Sequence, residues 1–253
     1  MGNPFASRPG IIAVGAVIGV TATLLQYFGN PPNMGVCVAC FERDIAGGLG
    51  FHRAAVVQYI RPEIIGFVIG AFLAALLAKE YRPRGGSAPL IRFFLGVFAM
   101  IGALVFLGCP WRALLRLAGG DWNAVTGLAG LAAGIGAGVV FLKSGYSLGR
   151  AQAQKTASGY LFPVFMAGLF LLAAFQVTFA EGGPIFFSQK GPGSQHAPLL
   201  VSLGAGLLVG AIAQRSRFCT MGALRDVILL RDFHLMSGVA GLLVAAFAMN
   251  LIL

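Results

Sequence analysis

Charge is what this sequence has least of. Only 10% of its 253 residues are charged and only eight are acidic, where an ordinary soluble domain is about 25% charged. A water-facing surface cannot be built from so few ions, and a soluble domain is thereby excluded. Cysteine is also scarce: the four thiols, Cys37, Cys40, Cys109 and Cys219, are too few and too scattered for a disulfide scaffold. The three histidines are dispersed and there is no second C-x-x-C, which argues against a zinc site. No G-x-x-x-x-G-K-[ST] run occurs, so nothing supports ATP hydrolysis. A small-residue cleavage site is missing after the apolar run at 11–28. That run reads as an anchor that stays rather than a signal peptide.

What is present is apolar sequence: 58% of the residues are hydrophobic and 37 are glycine, and the mean hydropathy is +0.85. A bilayer-spanning helix needs about 20 apolar residues. That length predicts seven spans, near 10–28, 63–80, 90–108, 123–142, 159–180, 198–214 and 235–253. Three pieces, 36–49, 110–118 and 217–230, are too short or too charged to span. Each follows a span and reads as a short or re-entrant helix, which lipid tolerates only where protein or a wet cavity covers it. Small residues four apart (Gly15 and Gly19, Gly66 and Gly70, Gly130 with Gly134 and Gly138, Gly206 and Gly210) predict close helix packing. The expected class is all-α and polytopic, with about seven transmembrane helices, short re-entrant helices and inverted repeats of which the second is incomplete.

The net charge of +10 sits in short clusters between apolar runs, the mark of membrane topology rather than of nucleic-acid binding. Lys79, Arg82, Arg84 and Arg92 fall in one link, and Lys143, Arg150 and Lys155 in another; the loop 181–197 has only Glu181 and Lys190. The first two links are expected in the cytoplasm, with the N-terminus, and the third outside.

The polar stretch from Cys37 to His52 repeats. Laid over residues 219–234, it matches Cys37 to Cys219, Arg43 to Arg225, Asp44 to Asp226, Phe51 to Phe233 and His52 to His234, five identities in sixteen positions without a gap. About one is expected from composition. The first copy follows a span that exits outward and the second a span that exits inward, so the two face opposite sides. Such inverted repeats are a transporter plan, with the permeation site where the repeats meet. The expected organisation is a first repeat over 1–142, a link over 143–197 holding the span 159–180, and a partial second repeat over 198–253. On this plan Arg43, Arg53 and Arg61 belong to a pathway rather than to a topology-setting loop.

Ionised side chains at membrane depth are costly and persist facing a cavity or a partner. Adjacent helical residues do not face each other, which predicts cross-pairs, Arg43 with Asp226 and Arg225 with Asp44. They read either as a structural ion-pair network or as anion-attracting groups. Pro110 suits the first position of a helix and Gly119-Gly120 its end. Cys109 then falls at the N-cap, where unpaired N–H groups favour a reactive thiol or a docked anion; the alternative is a small buried hydrophobe. Cys37 and Cys40 permit a redox pair, and His52 and His234 either contact substrate or cap a helix end.

The segments "FGNPPNMGVCVACFERDIAGGLGFHRA", "QYIRPEIIGFVIGAFLAAL" and "GCPWRALLRLAGGD" resemble the YeeE/YedE sulfur-transport family, and within it the selenium-transporter type. The resemblance implies a bacterial inner-membrane transporter, without a cofactor and without enzymatic chemistry, that passes a thiosulfate-like or selenium anion along Cys37, Cys109 and Cys219. Arg43, Arg225, Asp44, Asp226, His52 and His234 are the accompanying pathway candidates. A counterpart to residues 90–142 is missing from the second half. A second copy or subunit is therefore an expected partner, alongside the lipid bilayer and a cytoplasmic sulfur or selenium carrier. The rival expectation is a thiol-disulfide oxidoreductase using Cys37 and Cys40 with quinone.

Overall fold

The computed structural model describes residues 3–175 and 185–253. Nearly all regular structure in it is helical: α1 (Arg8–Tyr27), α2 (Val38–Gly48), α3 (Pro62–Leu77), α4 (Pro89–Val105), α5 (Pro110–Ala118), α6 (Asn123–Lys143), α7 (Thr156–Ala174), α8 (Leu199–Ser216), α9 (Thr220–Leu230) and α10 (His234–Ile252). Among the described residues, six helical stretches are long and apolar enough to cross a membrane: α1, α4 with α5, α6, α7, α8 with α9, and α10. Of the seven expected spans, the one at 63–80 is realised as the shorter apolar α3. Its 16 residues rise about 24 Å, less than the ~30 Å hydrocarbon core. The C-terminal end of the expected span 159–180 and Glu181 lie outside the described residues. The three short helices form where the sequence places them, at 38–48, 110–118 and 220–230.

Helix starts follow local chemistry. Proline opens α3, α4 and α5, where the missing N–H costs nothing and φ is already helical. The Ser7 hydroxyl accepts from the Gly10 N–H at the start of α1, a standard N-cap.

Two helix pairs form the centre. α1 lies against α10 and α3 against α8. A β-carbon on Gly15 would strike the carbonyl oxygen of Gly238, and one on Gly19 that of Leu242; across the other pair, Gly206 meets the Glu63 carbonyl and Gly210 that of Phe67. Gly241 against Ile12 and Gly66 against Leu203 complete the series. Within each pair the contacts ascend together, so the partners run parallel. Adding 191 to the α1 numbers and subtracting 175 from the α10 numbers converts one set of contacts into the other. The glycine stripes are what permit this backbone approach. Gly130, Gly134 and Gly138 on α6 have nothing within 4 Å; that stripe, expected to pack, meets no other helix among the described residues.

Contacts at the helix ends define two faces. On one, Asn3 donates to the Arg215 carbonyl, Glu80 pairs with Arg215 at 2.6 Å and Arg217 at 3.2 Å, and the two basic links meet in a short antiparallel ladder, Arg84 opposite Ala153. On the other, Ala197 donates to Asn30, and residues 186–193 bond to the segment 48–58. The loops around α2 leave from the second face, joining α1 to α3; those around α9 leave from the first, joining α8 to α10.

Candidate functional site

Three short helices begin with cysteine. Cys37 is the N-cap of α2, Cys109 of α5 and Cys219 of α9. The Cys37 sulfur accepts from the Cys40 N–H at 3.4 Å and the Cys219 sulfur from the Gly222 N–H at 3.3 Å, the same i+3 cap in both. Each sulfur therefore stands at the positive end of a helix dipole.

The opening residues of all three helices border one cavity of about 370 Å³: Val38 and Ala39, Pro110 and Trp111, Thr220 and Met221. Cys109 and Cys219 line it. Cys37 is fully buried, just behind the wall, with its side chain against those of Cys109 and Cys40. Glu42 lines the same space, and α4 closes it with Gly96, Ala99, Met100 and Ala103. The first turns of three helices border this one volume, whose wall is mostly apolar, and each helix start brings the positive end of its dipole to the edge. Thr220, 5% exposed, borders the cavity, and its buried hydroxyl has no hydrogen-bond partner. Arg112, in the first turn of α5, donates to the Cys40 sulfur at 3.2 Å, while its buried Nε has no partner. No group of three or more His, Cys, Asp or Glu able to hold a metal occurs among the described residues.

The other expected residues lie elsewhere. The cross-pairs do not form. Arg43 pairs with its own neighbour Asp44 at 2.7 Å, and Arg225 with Asp226 at 2.7 Å. The helical rule against adjacent contacts applies to the direction of Cβ; a long guanidinium stem bends back across one residue. None of the four lines the cavity. His52 lies beside the Arg43 carbonyl oxygen at 3.0 Å. His234 begins α10, its N–H donated to Asp232. Neither histidine reaches the cavity.

Arg61, expected in a pathway, is instead a clamp. It is 0% exposed and donates to Asp44 at 2.8 Å and to the carbonyls of Gln195 and Pro192 at 3.0 and 2.7 Å. Its guanidinium lies 4.6 Å from the Phe41 ring and 5.1 Å from that of Tyr59. Arg53 rests over Phe186 at 4.6 Å. Sequence reasoning passed over Arg112 and Thr220. Their only signal is position, Arg112 three residues after Cys109 and Thr220 one after Cys219.

Comparison of the chain with protein-family models, curated proteins and solved structures finds no match. The cavity and its chemistry therefore carry the functional argument.

Proposed function

We propose that this chain is a membrane transporter for a small sulfur- or selenium-containing anion, thiosulfate-like in chemistry, which passes the cavity bordered by Cys109 and Cys219. The carrying observation is the convergence of three cysteine-capped helix N-termini on that one space. Backbone dipoles attract an anion without holding it as a fixed cation would. Thiols are weak, polarizable partners for a soft sulfur or selenium atom. Sites of moderate strength in series allow an ion both to arrive and to leave.

The matched glycine contacts and matching sulfur caps support an inverted repeat in which α1, α2 and α3 correspond to α8, α9 and α10. On that reading α3 is a seventh, thin span, and α2 and α9 dip from opposite faces. The gathering of the basic links with the N-terminus on one face supports a cytoplasmic N-terminus, in a bacterial inner membrane. α4, none of whose residues is buried, leaves room for lipid, a second copy or a completing subunit. A cytoplasmic carrier protein receiving the sulfur or selenium is a further partner of this reading.

The test is uptake of labelled thiosulfate and selenium anions into vesicles containing the purified chain. Cys109→Ala and Cys219→Ala are expected to lower uptake at least tenfold. Equal uptake by both variants and wild type removes the cysteines from the mechanism. The contact between the Cys37 and Cys40 side chains favours a second reading, a thiol-disulfide oxidoreductase with quinone as acceptor. A Cys37–Cys40 disulfide that forms and clears with quinone redox state distinguishes it.

A further inference from the structure

Glu63, in the first turn of α3, is 2% exposed. Its Oε1 accepts from the Asn30 amide at 2.7 Å and from the Ser202 hydroxyl of α8 at 3.0 Å. Its Oε2 has no partner, and among the described residues no basic side chain pairs with it within 4.0 Å. The nearest arginine in sequence, Arg61, is committed to Asp44 and two carbonyls. The other titratable groups around it are Tyr59, on the segment leading into α3, and His196, on the segment leading into α8, which stack at 4.4 Å. α8 brings Ser202 and Gly206 to it, and α7 packs on α3 through the apolar Met166, Leu169 and Ala173.

Two opposed effects act on this carboxyl. Burial without a paired cation, with one oxygen lacking a protein partner, penalises the ion. The N-terminus of α3 and two donated hydrogen bonds favour it. Glu63 is where α3 meets α8 closely enough that Gly206 admits no side chain. α3 follows the Cys37 helix, and α8 leads into the Cys219 helix.

We infer that Glu63 is a proton-binding site at the α3–α8 seam that couples proton movement to anion movement, an inference that rests on the transport reading. A carboxylate takes one proton to become a carboxylic acid, with no other bond made or broken.

The experiment uses the full chain in liposomes. Infrared difference spectra between acidic and alkaline buffer, without substrate, are expected to contain a buried carboxylic-acid C=O band. That band disappears in Glu63→Gln, which keeps an acceptor for Asn30 and Ser202, and remains in Glu80→Gln. A spectrum unchanged by Glu63→Gln overturns the proposal. In a second arm, labelled thiosulfate uptake is driven by a proton gradient, acidic outside. Wild type accumulates thiosulfate several-fold above equilibrium, and Glu63→Gln only equilibrates it. Gradient-driven accumulation by Glu63→Gln, or accumulation that follows sodium and ignores the proton gradient, overturns the coupling. A titrating Glu63 band with no thiosulfate uptake by wild type upholds the proton site and overturns the transport reading, and the coupling with it.

Discussion

Arg61 is the residue on which the second face of the molecule depends. Removing the buried guanidinium leaves the Asp44 Oδ2 and the Gln195 carbonyl without a donor, while Arg43 still holds the Asp44 Oδ1; an unsatisfied buried acceptor is destabilising. Arg61→Ala is expected to cost about 1–3 kcal/mol, the range for leaving a buried acceptor unsatisfied, read as a lower unfolding temperature in detergent. Arg61→Lys should recover little, because a point charge cannot reproduce the fork that reaches Asp44 and the two carbonyls together. The residue was visible in the sequence as an arginine before Pro62, but its partners at 192 and 195 are more than 130 positions away. The cysteines are the opposite case: helix-capping position is a local property, and Cys109 before Pro110 is legible from a few neighbouring residues. Pairing argued from helix periodicity, as with Arg43 and Asp44, fails where a flexible stem decides the partner.

At the scale of elements, the glycine contacts separate used stripes from open ones. Gly206→Leu forces a side chain into the Glu63 backbone, where overpacking costs about 1–3 kcal/mol or more. Gly134→Leu meets open space and should leave stability within error. Thermal unfolding of the two variants in matched detergent checks the contrast. Spacing alone does not tell the stripes apart, since both repeat every four residues; only the presence of a neighbouring helix does. α5 carries a pH-dependent tie at its C-terminal end. Arg116 hydrogen-bonds Asp121 at 2.7 Å, and that bond, with smaller help from the Asn123 backbone, holds the Asp121 carboxyl below its ordinary range. A depressed carboxyl contributes stability above its unfolded pKa, and the contribution fades as pH falls through the folded one. Wild type and Asp121→Asn are therefore expected to differ in unfolding temperature at neutral pH and to converge in acid.

At the scale of the whole molecule, the two faces make a prediction about sidedness. Ser147 lies in the link that meets the other basic segment, and Lys190 in the strip that covers residues 48–58; both are exposed. In cells, Ser147→Cys and Lys190→Cys, in a background without the native thiols, should react with an impermeant maleimide from opposite sides, Lys190→Cys from outside. Labelling of both from one side contradicts the orientation.

The sequence by itself determined where most of the helices run. Hydropathy over about 20 residues, Pro110 at a helix start and Cys109 at its N-cap are all local, and a bilayer rewards any apolar run that closes its own hydrogen bonds. It also carried the matching residues around Cys37 and Cys219. The tertiary structure alone decided which cysteines share a space, that Arg61 is a clamp, that Glu63 keeps a free oxygen, and which glycines meet a neighbour. Those outcomes depend on groups remote along the chain and close in space, and their energies come from burial and from partners, neither of which a residue possesses until the helices pack.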